Sequence, residues 1–97
     1  MSATSDITIE DNEERSRYEA SIDAGVVAGY AEYRDRGGVR VLTHTEVDDA
    51  FEGRGIGSAL ARAVLDDVRA RGLPVRILCP FLKSYVEQHP EYADLQA

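Results

Sequence analysis

The sequence predicts an α/β (α+β) domain: a mixed, mostly antiparallel sheet with a central parallel strand–helix–strand unit and a C-terminal helix. Three observations predict it. Four strand-like segments precede residue 48, separated by turn residues. A glycine cluster, Gly53, Gly55 and Gly57, then opens a stretch whose apolar residues recur at three- and four-residue steps, the spacing of one helix face. A short apolar segment follows at 75–79, and a unit of this length joins parallel strands through a right-handed crossover.

Taken in order, residues 1–6 are expected to be frayed and disordered, with a single domain over 7–97. Segment 7–9 is a short strand ending at the turn signal Asp11-Asn12. Arg17–Ile22 alternates and stops at Asp23-Ala24-Gly25, a hairpin turn. Segment 26–33 is a third strand, in which Gly29 signals a bulge or a close backbone approach. Asp35-Arg36-Gly37-Gly38 turns the chain back into Val39–Val47, the clearest strand. Val39, Val41, Thr43, Thr45 and Val47 are placed on one face; Arg40, Leu42, His44 and Glu46 on the other. Ile56, Ala59, Leu60, Ala63, Val64 and Val68 form the helical stripe, which Gly72 and Pro74 end. The strand at 75–79 is interrupted by Arg76 and closed by Pro80. Phe81, Leu82, Tyr85, Val86 and His89 follow helical spacing to Pro90, and Tyr92 and Leu95 dock the tail.

Composition narrows the function. A chain of 97 residues buries roughly 60–65% of its unfolded surface, a modest core. No apolar run approaches the ~20 residues of a membrane span, and the N-terminus lacks the pattern of a signal peptide. The single cysteine, Cys79, permits no internal disulfide and fits a cytoplasmic protein, monomeric or weakly homo-oligomeric. Net charge is −7, with twelve acids against five arginines in residues 1–50, which excludes generic nucleic-acid binding. That acidic half reads either as an attractor for a cationic amine or as an ordinary solvated surface. The two histidines and one cysteine lack metal-ligand spacing.

The glycine cluster is the centre of the reading. Glycines at alternate positions permit a tight turn with N–H groups unshielded by Cβ atoms, and the helix that follows adds its own free N–H groups and dipole. Such a turn binds a phosphate or diphosphate, or else only packs a helix on a sheet. No lysine follows the last glycine, so the turn is not an ATP-binding P-loop.

Glu52-Gly53-Arg54-Gly55-Ile56-Gly57, after a long strand and opening a helix, resembles motif A of the GNAT superfamily of acetyl-CoA-dependent N-acetyltransferases, Gln/Arg-x-x-Gly-x-Gly/Ala. His44-Thr45-Glu46-Val47, Cys79-Pro80-Phe81 and His89-Pro90-Glu91-Tyr92 extend the likeness to the minimal single-domain branch, over residues 7 to 95. The resemblance implies that main-chain groups of Gly53, Arg54, Gly55, Ile56, Gly57 and Ser58 hold the CoA diphosphate. It also implies that the two central parallel strands splay, with the pantetheine arm between them pairing near Val47. Glu52 departs from the pattern, and a carboxylate there weakens phosphate binding unless it points outward.

Acetyl transfer needs an unprotonated nucleophile, donors for the developing oxyanion and an acid for the leaving thiolate. Cys79, at a strand end beside a helix start, is the first candidate, as acetyl acceptor or as acid toward CoA; the other reading is an inert buried thiol. His44 is a candidate base, for an amine or for Cys79, or a structural histidine. Glu46 resembles the position of a base or water-relay carboxylate in larger family members, or is an exposed strand acid. Tyr85 lies near the family's tyrosine acid, with spacing that equally suits a core aromatic. Lys83 and Ser84 are candidates for CoA contact, and His89 for packing the tail. The function implied is acetyl-CoA-dependent N-acetylation of a primary amine, on a protein or a small polyamine. The alternative is a non-catalytic acyl-CoA-binding or protein-interaction module.

Overall fold

The computed structural model describes residues 7–22 and 25–97; the expected frayed segment 1–6 and the Asp23-Ala24 part of the hairpin turn lie outside the described residues. Alternating segments build β1 (Thr8–Asn12), β2 (Arg17–Ile22), β3 (Val26–Arg36) and β4 (Val39–Val47), each antiparallel to the next. Helix α1 (Ile56–Arg71) crosses over to β5 (Val75–Ile77), which lies parallel to β4 in a sheet ordered β1-β2-β3-β4-β5. Helix α2 (Pro80–Gln88) and a 3-10 turn (Pro90–Leu95) complete the mixed α+β architecture.

Several boundaries move from their expected places, each for a local reason. Strand β1 runs through Asp11 and Asn12, and the reversal falls at 13–16, where the Asn12 Oδ1 accepts the Arg15 amide at 3.3 Å and Ser16 takes a left-handed φ of 54°. Strand β3 reaches Arg36, so its turn is Gly37-Gly38 alone, with φ of 56° and 82° matching the twist of a two-residue hairpin. Strand β5 ends at Ile77, two residues early. The amides of Leu78 and Cys79 both bond to the Leu42 carbonyl, at 2.9 and 3.2 Å, instead of stepping along the ladder.

The expected faces of β4 hold only in part. Glu32 pairs with His44 and Tyr33 with Leu42, so Thr43 is an extra residue in β4. The bulge exchanges the faces: Arg40 and Leu42 are buried before it, while His44 and Glu46 are exposed after it and Thr45 and Val47 turn inward. A second bulge, at Ala28, sits beside Gly29. Gly29 also meets the other expectation, since a Cβ there would lie 2.7 Å from the Glu46 carbonyl and 3.2 Å from Ile56 Cγ2.

Helix α1 buries Ile56, Leu60, Ala61, Val64, Leu65 and Val68. Ala61 and Leu65 replace Ala59 and Ala63 of the expected stripe, because α1 packs on strands β1–β4 and on α2 and buries a wider arc. Each large side chain so buried contributes about 1.5–3 kcal/mol. The tail docks through buried Tyr92 and Leu95, and the Ala97 amide donates to the Val75 carbonyl at 2.7 Å.

One charge lies inside. Arg40 is 4% exposed, its guanidinium 3.8 Å from the Tyr33 ring centre, and it donates from Nε and Nη2 to both Asp35 oxygens at 2.8 and 2.9 Å. Its Nη1 donates to the Tyr18 hydroxyl at 2.8 Å, which donates to Asp67 at 2.6 Å; the Tyr33 hydroxyl donates to Asp11. Arg71 joins from α1, 3.0 Å from Asp67 and 3.4 Å from Asp11. Burial drives the Tyr18 and Tyr33 hydroxyls well above the usual phenol range, and the Arg40 guanidinium holds the Asp35 carboxyl below its ordinary value. Every polar member has a partner, the condition under which a buried network is tolerated.

Candidate active site

At the opposite end of α1 the chain leaves polar groups free. After β4 a 3-10 turn, Asp49–Phe51, is capped by the Asp48 Oδ1 on the Ala50 amide at 2.9 Å; nothing in the sequence reading anticipated it. Gly53 and Gly55 then take φ of 83° and 78°, and a Cβ on either would meet open space within 4 Å. Any L side chain there is strained by the backbone itself. Gly55 caps α1 without a side-chain bond, and the first helical bond runs from the Ala59 amide to the Gly55 carbonyl at 3.0 Å. The amides of Gly53, Arg54, Gly55, Ile56, Gly57 and Ser58 therefore donate to no backbone acceptor among the described residues. The Ile56 side chain is in the core, so this residue has only its main chain to offer. Arg54 is exposed, 5.6 Å from the Phe51 ring centre, and Glu52 is exposed.

Beside this turn the sheet opens. Strand β5 pairs with β4 only at Arg40, Val41 and Leu42, while β4 continues through Thr43–Val47 without a β5 partner. Val47, at the end of that edge, pairs with Gly29 on the other side and lies near Ile56. Cys79 closes the far side of the opening as the N-cap of α2. It is 2% exposed, and its thiol donates to the Thr45 Oγ1 at 3.4 Å.

The structure brings His44 and Glu46 together but separates them from Cys79. His44 Nε2 is 2.7 Å from Glu46 Oε1, both side chains are about half exposed, and neighbouring strand residues face opposite ways, so Thr45 with Cys79 lies across the sheet from this pair. His44 as a base for Cys79 is corrected by that arrangement. Tyr85 stacks on His89 at 4.0 Å and lies 6.3 Å from Tyr92, within the packing of the tail. The Nδ1 of His89 is 2.8 Å from the Tyr85 carbonyl. Lys83 lines a hollow with Val86, Glu87 and Pro90 on the tail side of α2, and Ser84 is exposed.

Two residues join the site that the sequence reading passed over. Phe81, expected to lie on an apolar stripe, is 41% exposed, and its ring reaches across to α1: a Cβ on Gly57 would sit 3.0 Å from Phe81 Cζ. Gly57 has an ordinary helical φ, so the ring explains the absence of a side chain there. Thr45 is the other, and its signal was the hydroxyl amid the valines of β4. The end of β4, the start of α1 and the start of α2 thus converge around one opening.

Comparison with known proteins identifies the family and the fold. A family profile, GCN5-related N-acetyl-transferase, matches residues 17–95. Protein NATD1 of Xenopus tropicalis is 45% identical over 49 residues, 50% of this chain and 45% of that protein. Protein NATD1 of Homo sapiens is 45% identical over 49 residues, 50% of this chain and 43% of its own length, and that of Danio rerio 36% identical over 55 residues, 55% and 50%. The chain spans about half the length of these relatives. The solution structure of a GCN5-like protein from Staphylococcus aureus superposes with a TM-score of 0.71 at 25% identity, covering 97% of this chain and 91% of that one.

Proposed function

The chain belongs to the GCN5-related N-acetyltransferase family, and from that premise we propose that it binds acetyl-CoA at the opening between β4 and β5 and transfers the acetyl group to a primary amine. The observation that carries the proposal is the conjunction of free amides at 53–58 with the parting of the two strands. The residues fit the group. Gly53 and Gly55 leave open space where side chains would intrude, and the amides of Ile56, Gly57 and Ser58 face outward at the positive end of α1, a setting for a diphosphate. The unpartnered edge of Thr43–Val47 offers main-chain groups to a pantetheine arm.

Acetyl-CoA, when bound, supplies an acetyl group activated as a thioester. The chain's own side chains divide the proton transfers between two faces. Glu46 orients the His44 ring through Nε2, which leaves Nδ1 to take the proton of an approaching amine on the open face. The Cys79 thiol, held by Thr45, is the donor toward a departing sulfur on the inner side. An acetyl-cysteine route has weaker support, because Cys79 is buried with a hydroxyl, not a base, as its partner. One observation favours a second reading, a non-catalytic acyl-CoA-binding module: thiol and histidine are not assembled into a nucleophile–base pair.

The test begins with ligand class. CoA and acetyl-CoA should raise the Tm where ATP and NAD do not, and a panel of amines should then yield acetylated product by mass spectrometry. His44→Ala should lower kcat with the acetyl-CoA shift retained. An acetyl adduct on the intact protein, absent in Cys79→Ala, would restore the covalent route. Thermal stabilisation without turnover of any amine would establish the binding module instead, and no stabilisation by CoA would overturn both.

A further inference from the structure

The helix-free face of the sheet carries charge that the overall balance hides. The molecule is acidic, at −7, yet a concavity of about 1030 Å³ on this face is bordered by Arg15, Arg34 and Arg36. None of the three has an ion-pair partner within 4 Å among the described residues. Arg15 is placed by the built turn at 13–16, in which the Ser16 carbonyl accepts the Tyr33 amide at 3.0 Å. Of the acids on the border, Asp35 is occupied by Arg40 in a two-point contact. Glu32 remains, between His44 and Arg17 in the ladder, with the Arg17 guanidinium held by Glu19 at 2.8 Å.

The order of these charges along β3 is specific. Glu32, Arg34 and Arg36 share the outer face at two-residue steps, so the surface passes from acid to base over roughly 13 Å. The acidic end adjoins the opening, because Thr43, His44 and Leu78 also border the concavity where β4 and β5 part. An ammonium group beside Glu32, with carboxylates two to four residues away along an extended chain, complements this surface. A free polyamine, cationic throughout, does not. We infer that the acceptor is a protein lysine in an extended acidic segment, docked on the outer face of β3 and β4 with its lysine directed into the opening. The inference rests on the acetyltransferase reading above and names its substrate class.

Two fluorescein-labelled twelve-residue peptides with one central lysine decide it, one carrying aspartates at positions two to four beyond the lysine, the other asparagines. Anisotropy should show the acidic peptide binding about tenfold more tightly at low salt, the sum of a few exposed ion pairs, with the difference lost at high salt. The same preference should appear in kcat/KM for acetylation. In R15E/R34E/R36E the preference should vanish while stabilisation by acetyl-CoA persists; R34Q/R36Q serves if the triple variant does not fold, and should reduce it. Equal binding of the two peptides, or a preference that survives these substitutions, overturns the docking. So does an RNA oligonucleotide that displaces the acidic peptide at lower concentration. A wild-type protein that discriminates the peptides but is not stabilised by acetyl-CoA retains the docking surface and rejects the acetyltransferase reading.

Discussion

The two ends of α1 handle polar groups in opposite ways. At its C-terminal end, Asp67 and Arg71 join Arg40, Asp35, Asp11, Tyr18 and Tyr33 in a cluster where each group finds another side chain. At its N-terminal end the amides of 53–58 have no backbone acceptor among the described residues, and the neighbouring edge of β4 has lost β5. The first end fixes how the sheet meets the helix. The second leaves hydrogen-bonding capacity unspent, which is what a ligand requires. Stability and binding are thereby separable along one helix, and substitutions at the two ends should move different observables.

Arg40→Met should have the largest effect. It removes the cation shared by Asp35 and the Tyr18 hydroxyl, and because Asp35 is half exposed and Asp67 and Asp11 keep Arg71, the cost is about 2–3 kcal/mol. Urea unfolding measures that loss, while acetyl-CoA should still stabilise the fraction that folds; a loss under about 1 kcal/mol would break the contrast between the ends. Gly55→Ala comes next, with about 1–2 kcal/mol from the left-handed φ and with the acetyl-CoA shift lost as well. Gly57→Ala sharpens the comparison, because its backbone is ordinary and only the Phe81 ring opposes a methyl group. Its stability should stay within about 1 kcal/mol of wild type, the helix propensity of alanine offsetting the displaced ring. Acetyl-CoA affinity should nonetheless fall about tenfold by calorimetry.

The smallest effect concerns pH. The Tyr92 hydroxyl donates to Asp66 at 2.8 Å, and this bond with burial lifts its pKa from 10.0 to about 12. A raised value means that its contribution is complete below pH 10 and is lost as pH climbs through 12. Tyr92→Phe should cost about 1 kcal/mol at neutral pH and flatten the alkaline limb of the stability curve. Asp35 works in the other direction: its lowered value makes its contribution present above the ordinary carboxylate range and lost on acidification. Asp35→Asn should flatten the acid limb, modestly, because that carboxylate is half exposed.

Much of this was legible beforehand because it depends on local pattern. The strands, the crossover helix and its glycine stop follow from periodicity and from backbone freedom at Gly55 and Gly72. Features set by partners distant in sequence were not legible. The alternation of Val39–Val47 is unbroken in the sequence, and only its pairing with β3 makes Thr43 the extra residue. Arg40 reads as one more polar residue of a mixed face until Asp35, Tyr18 and Tyr33 close over it. The acidic N-terminal half, read either as an attractor for a cationic amine or as an ordinary solvated surface, has Asp11, Glu19 and Asp35 committed to arginines. Phe81 fits a buried stripe by spacing, and its exposure follows from where α2 begins.

The extra residue at position 43 also shapes how this stretch can vary by descent. Point changes at 44 to 47 alter one side of the strand at a time and leave the other intact. Closing the bulge without losing a residue would swap wet for dry, turning His44 and Glu46 toward Ile56 and sending Thr45 and Val47 out to water, whereas losing Thr43 itself would restore a plain ladder and leave both faces as they are. The chemistry of this strand can therefore be retuned by exchange of letters, and the length change it absorbs without reversing its faces is the loss of the extra residue.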